Sequence, residues 1–249
     1  MYPPASLFAK DKKASVDTRT RHALKQDKFA LAAKSSASWV TENQTTVVRW
    51  SIGIGVVIVL LIGGLAFWSV RSSAANIALG AAVDVYTSPL AIPGAPSEPG
   101  VYTTAEARSK EANREFVAIA HDYGWLPAGA RSHYFAGITY EELGQNGNAE
   151  NQLKAVAGSW NHNLANLAKL ALAGLYQQTD RSDEAIDLYK ELAAKPSVTV
   201  SAGSAQLALA DLYAAQGKLD QARVLWAKVR DTDKEGAAGQ IAAQKLTGQ

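Results

Sequence analysis

The chain has 249 residues, a net charge of +2 and no cysteine. Without cysteine there is no disulfide framework, no thiolate metal site and no thiol nucleophile. The charge is unevenly divided: residues 1–49 carry nine basic and four acidic side chains, a net +5, whereas residues 71–249 carry 16 basic and 19 acidic ones, a net −3.

Residues 1–20 (MYPPASLFAKDKKASVDTRT) mix charge with Pro, Ser and Thr and show no period, which predicts a disordered arm. Residues 21–48 are helix-compatible. Phe29, Ala32, Ala33, Ser36, Trp39 and Val40 share a face at spacings of three and four, with Lys25 and Lys28 off it. Two readings fit equally. The helix lies on anionic lipid, each basic residue adding ~1 kcal/mol, or it is a tether whose charge only sets topology. Nucleic-acid binding is not expected, because the charge is modest and the aromatics are not interleaved with it.

Residues 50–70 read WSIGIGVVIVLLIGGLAFWSV, with no charge inside, Arg49 before and Arg71 after. As a helix these 21 residues reach ~31 Å, the thickness of a bilayer's hydrocarbon core. Trp50 and Trp68 stand near the two ends, where indoles favour the membrane interface. Ser72-Ser73-Ala74 resembles a signal cleavage site, but 49 residues precede the run, so an uncleaved transmembrane helix over 49–71 is expected. After Arg71 no Lys or Arg occurs until Arg108, which orients the N-terminus inside. The expectation is a single-pass protein of a bacterial cytoplasmic (inner) membrane with a periplasmic or extracellular C-terminal domain. Ser51, Gly55 and the Gly63-Gly64 pair suit close approach of a second helix, and also suit an ordinary span.

Residues 72–86 continue as an alanine-rich helix. Pro89, Pro93, Pro96 and Pro99 then exclude helix and central strand, so residues 72–103 form a helix and a proline-rich linker. From residue 104 the breaks at Gly124, Asn146-Gly147, Asn161-Asn163, Thr179-Asp180, Pro196 and Gly217 predict helices near 104–122, 127–144, 148–158, 163–178, 182–194, 200–216, 218–230 and 236–246.

These helices repeat. Tyr140, Tyr176 and Tyr213 are 36 and 37 residues apart. Nine residues after each tyrosine comes Ala149, Ala185 or Ala222, and four further on Leu153, Tyr189 or Trp226. Three before each tyrosine stands Gly137, Ala173 or Ala210. A small residue lets the two helices of a hairpin cross closely, and the bulky ones fill the space between hairpins. Gly144 and Gly217 close the first helix in two copies. Ala112 and Phe116 repeat the alanine-plus-bulky spacing once more; Leu79-Gly80 and Val83 offer a displaced first helix for them, across the proline loop.

At these residues the sequence resembles the tetratricopeptide repeat family, whose pattern is W-x2-L-G-x2-Y, then A-x3-F, then P. LALAGLYQQTDRSDEAIDLYKELAAKP and LALADLYAAQGKLDQARVLWAKV carry the match, with AGITYEELGQNGNAENQLKAV beside them. The tryptophan slot holds His133, Lys169 and Gln206, and the closing proline survives only as Pro196, one residue early, which favours a divergent branch. The resemblance implies an all-α fold: one N-terminal transmembrane helix, then an α-solenoid of tetratricopeptide-like hairpins over 104–249, with helix 236–246 as its cap. The larger arrangement, with LKQDKF ahead of the span, also resembles the membrane-anchored ancillary subunits of the bacterial Sec translocon. That resemblance implies contact with translocon subunits, periplasmic chaperones or exported chains.

No catalytic constellation is present. His22, His121, His133 and His162 lack metal-ligand spacing, and no nucleophile elbow, P-loop or dinucleotide fingerprint occurs. Glu141-Glu142 and Asp183-Glu184 fall on predicted solvated faces. No cofactor, metal or small-molecule substrate is expected, and the chain reads as a non-enzyme. The first helix of each hairpin instead lines a candidate groove: Tyr134, Ile138 and Glu141; Leu170, Gly174 and Gln177; Leu207, Asp211 and Ala214. Packing of some of these under the N-terminal helices accounts for the stripe equally well. One subtype of the family grips a C-terminal carboxylate with Lys and Asn here; those slots hold Tyr134/Ile138, Leu170/Gly174 and Leu207/Asp211, so an apolar helical or unfolded segment is the expected ligand. The functional expectation is a membrane-anchored protein-binding scaffold that assists secretion or envelope-protein assembly. The rivals are a signalling adaptor whose basic arm recruits a cytoplasmic regulator, and an assembly factor for an envelope complex such as cytochrome maturation.

Overall fold

The computed structural model of the chain describes residues 43–92 and 100–248. The arm expected at 1–20 and nearly all of the basic helix expected at 21–48 lie outside the described residues. The chain divides into two units, Met1–Ala66 and Phe67–Gln249. One helix, α1 (Gln44–Thr87), runs through the boundary without a break. Neither Arg71 nor the alanine-rich stretch after it interrupts the helix, since both are strong helix formers and no proline intervenes before Pro89. Within the first unit the apolar side chains of α1 are exposed, Trp50, Ile58 and Leu61 among them. By length and composition this helix is able to cross a membrane, its most apolar stretch having a mean hydropathy of 2.4.

The second unit is all helix apart from its loops. It takes in the end of α1 and then α2 (Ala105–Tyr123), α3 (Pro127–Glu142), α4 (Asn146–Ala157), α5 (His162–Gln178), α6 (Ser182–Ala194), α7 (Ala202–Ala215), α8 (Leu219–Thr232) and α9 (Ala237–Thr247). These bounds fall within two residues of the predicted ones. The starts are set by local chemistry. The side chains of Thr104, Asn161 and Ser201 accept hydrogen bonds from the amides of Ala107, Leu164 and Ser204, and Pro127 opens α3. Among the described residues there is no strand, only an isolated bridge between Leu90 and Tyr102.

The hairpins α3/α4, α5/α6 and α7/α8 share one turn. The carbonyls of Tyr140, Tyr176 and Tyr213 accept from the amides of Gln145, Arg181 and Lys218 at 2.8, 2.8 and 2.9 Å. The residue just before each donor, Gly144, Asp180 or Gly217, has positive φ (68°, 58° and 75°). This is the Schellman arrangement, which reverses the chain in a fixed geometry. The carbonyls of the same three donors then accept from Ala149, Ala185 and Ala222 and start the second helix. All three alanines are fully buried, as are Ala173 and Ala210. Gly137 is tighter still: a Cβ there would lie 2.5 Å from Leu153 Cγ. Tyr176 is buried, while Tyr140 and Tyr213 are half-buried.

A fourth, divided pair precedes these. Ala75, Leu79 and Ala82 share one face of α1 and form a core cluster with Ala112, Phe116 and Ile119 of α2. Val83 packs at its margin. Leu79 and Val83 therefore lie where a displaced first helix requires them. Glu142 locks this pair to α3, accepting from Tyr86 Oη at 2.5 Å and from Ser109 Oγ at 2.6 Å. Burial and the Glu142 carboxylate push the Tyr86 phenol up to about 12. Inside the joint, the buried Asn113 amide donates to Ala136 O and Thr139 Oγ1. A second joint holds α4 to the α5/α6 hairpin. Glu150 accepts from Arg181 Nη1 at 2.7 Å, Lys154 Nζ at 2.6 Å and Tyr176 Oη at 3.0 Å, and the Arg181 guanidinium lies 4.0 Å from the Tyr176 ring centre. The Arg181 guanidinium first, then Lys154, hold the Glu150 carboxyl down at about 2.

Two stability predictions follow from these contacts. Gly137→Val forces the fully buried Leu153 aside, so the urea-unfolding free energy should fall by ~1–3 kcal/mol despite the loss of a helix glycine. Glu150 has a folded pKa below its ordinary 4.5, so its contribution is present above pH 4.5 and is lost as pH falls toward 2. The difference in unfolding free energy between the natural chain and Glu150→Gln, on the order of 1 kcal/mol near neutrality once screening at the exposed partners is allowed for, should shrink through that window. A difference that does not change with pH would show that the carboxylate charge is not what joins the hairpins.

Candidate protein-binding groove

The stripe residues lie on the first helices of the hairpins, α3, α5 and α7. Tyr134 is half-buried against the core that runs from α4 through α7. Burial pushes its phenol pKa up, and the Glu141 carboxylate adds to the shift. Ile138 is half-buried. Glu141 accepts from Gln178 Nε2 at 2.7 Å, a bond from the end of α5 to α3. Leu170 is half-buried against the same core as Tyr134. Gly174 faces open space, with nothing within 4 Å of where a Cβ would stand. Gln177 is exposed and accepts from Tyr189 Oη at 3.5 Å.

The third segment is more committed. Leu207 and Ala214 pack against the cluster of Ala210, Trp226 and Val229. Asp211 Oδ1 accepts from Trp226 Nε1 and from Lys245 Nζ of α9, both at 3.1 Å. Leu170, Gly174 and Gln177 follow one another along α5 at spacings of four and three, and the far end of the stripe is tied into the terminal helix through Asp211. None of the nine residues belongs to the cluster around Ala75, Leu79 and Ala82.

Two concavities lie away from this stripe, and neither is among the candidate sites expected from the sequence. One of about 730 Å³ opens between α6, α7 and α8, floored by Leu209, Tyr213 and Leu225 and rimmed by Lys190, Asp220 and Lys228. Besides the periodic Tyr213, it takes in Val224, an exposed apolar residue beside Asp220 and Lys228. The other, about 410 Å³, is rimmed by Trp68, Trp125 and Trp160.

Among the described residues no three His, Asp or Glu side chains are grouped to hold a metal ion. His121 lies beside the Asp122 carboxylate at 2.9 Å, and His133 beside Gln152 Oε1 at 2.6 Å. The arrangement offers surfaces and grooves, the kind of asset with which hairpin solenoids bind other proteins.

The sequence matches the family described as tetratricopeptide repeat-like domain over residues 37–248, a match that takes in the apolar run as well as the hairpins. The chain belongs to that family, whose fold is typically a non-enzymatic scaffold for protein–protein interaction. No curated protein and no solved structure matched it significantly.

Proposed function

We propose that this tetratricopeptide repeat-like protein is a non-enzymatic, membrane-anchored scaffold whose hairpin domain binds apolar segments of other proteins outside the cytoplasmic membrane, assisting secretion or envelope-protein assembly. The observation that carries the reading is the open space over Gly174, with the half-buried Leu170 four residues before it and the exposed Gln177 three residues after it on the same helix. An apolar floor with an uncharged edge suits a helix or an extended chain laid along it, with apolar side chains as anchors. The apolar run in α1 supports an anchor, and the basic excess before it supports a cytoplasmic N-terminus. The likeness to ancillary translocon subunits directs the choice toward translocon subunits, export chaperones or emerging chains as partners.

Gly174→Phe fills the groove without touching the core, and replacing a helix glycine does not weaken α5. Crosslinking in membranes should capture a translocon subunit or export chaperone with the natural chain, and several-fold less with Gly174→Phe at an unchanged unfolding midpoint. Equal capture by both chains would sink the groove; capture of neither partner class would sink the secretion role. Topology is checked apart from binding. A periplasm-active reporter fused after Gln249 should be active, and an inactive fusion would reverse the orientation.

A further inference from the structure

We propose that the edge of the hairpin domain bearing Trp125 and Trp160 docks on the lipid–water interface of the membrane that α1 enters. The inference rests on reading residues 50–70 as a membrane span. Hairpins with short turns alternate helix direction, so connections between hairpins fall on one edge and turns within hairpins on the other. The first three connections between hairpins are residues 124–126, 158–161 and 195–201, and each presents a large apolar side chain to solvent. Trp125 is 53% exposed, Trp160 90% and Val198 95%. An indole left that bare in a loop gains nothing from the core, and interfacial lipid is the surroundings in which indoles concentrate.

The aromatic row is joined to the end of the apolar run. Phe67 and Trp68 are the last aromatic residues of that run, and both pack on Trp125. The Phe67 ring stacks at 6.3 Å between centroids, and the Trp68 ring meets it edge-on at 5.3 Å. If Trp68 marks the interface, Trp125 shares its depth. Trp160 stands across the 410 Å³ cleft from both. The third connection is held beside the second by Thr199 Oγ1 donating to Asn163 O at 2.8 Å.

Charge divides the two edges in the same sense. Residues 124–126 and 158–161 carry no charge, and 195–201 carry only Lys195. Asp122 lies close by, with His121 at 2.9 Å from its carboxylate. Arg71, over the Tyr123 ring at 4.8 Å, provides a cation at the level where lipid phosphates lie. The opposite edge carries Asp180, Arg181, Asp183, Glu184, Lys218 and Asp220, which water suits and hydrocarbon does not. The row ends at the fourth connection, where Asp233, Lys234 and Glu235 replace the apolar tip. A lipid surface fits this pattern of bare indoles, missing acids and one flanking arginine.

The chain has no cysteine, so single nitroxide labels report unambiguously. The full chain is reconstituted in vesicles of phosphatidylethanolamine and phosphatidylglycerol at no more than one copy per vesicle, which removes other proteins and second copies as cover. Labels are placed by His162→Cys beside Trp160, Asp183→Cys on the opposite edge and Val57→Cys within the apolar run. The expected result is oxygen collision dominating over a water-soluble nickel complex at 57 and at 162, and the reverse at 183. Trp125→Ser with Trp160→Ser should return the label at 162 to water while leaving 57 in lipid. A label at 162 as wet as that at 183, with 57 in lipid, overturns the docking and leaves the span intact. A shielded 162 that ignores loss of both indoles also overturns it. A wet label at 57 removes the span reading and the docking with it.

Discussion

A single backbone bond, repeated three times, sets the geometry on which the hairpin domain depends. When the carbonyl of Tyr140, Tyr176 or Tyr213 accepts from the residue five positions on, the residue in between must take positive φ. Glycine does this freely at 144 and 217; at 180 an aspartate does it, one of the few other side chains that tolerates the region. The reversal then places Ala149, Ala185 or Ala222 opposite the small residue three before the tyrosine. Only small residues fit there, because the two backbones approach closely. The same turn in the second hairpin aims Arg181 at Glu150 of the preceding one, so the local bond also fixes how neighbouring hairpins stack.

Much of this was legible because the constraint is local. The 36- and 37-residue spacing, the buried alanines and the helix ends all follow from short-range rules acting within one hairpin. Asp180 was harder to place. Its copy lacks the glycine that marks the other two turns, and only the shared hydrogen bond shows that it fills the same slot. The pairing of α1 with α2 was visible only as Leu79 and Val83, since a proline loop separates the halves and breaks the period. Contacts such as Lys245 to Asp211 join residues 34 apart in sequence through a terminal helix that has no place in the repeat pattern. Trp125 and Trp160 are 35 residues apart, close to the repeat length, but two loop residues alone do not declare a pattern. Exposed loop residues take no part in the core, and the core is what produces a period.

The helix α1 serves two different surroundings with one backbone, and its sequence changes character accordingly. From residue 50 to 70 it is apolar on every side, as a helix without a preferred buried face must be. From Ala75 the apolar positions contract to a stripe at spacings of four and three, which is what a neighbouring helix requires. The change falls at Arg71, which is also where the first cation after the run stands. Hydropathy alone registers only the first regime. The second becomes visible when the partner face at Ala112, Phe116 and Ile119 is read with it.

The two ends of the candidate stripe have their carboxylates already engaged. Asp211, the only carboxylate on its third segment, accepts from Trp226 and Lys245. Glu141, at the near end, is bonded to Gln178. Between them lie Ile138, Leu170 and Gly174, none of which carries a side-chain hydrogen-bonding group. In the proposed groove this composition favours selection by apolar shape over selection by charge or by a chain terminus. Such selection is weak in sequence and tolerant in kind. Under the proposed function it suits a scaffold for apolar segments better than one reading a single fixed motif.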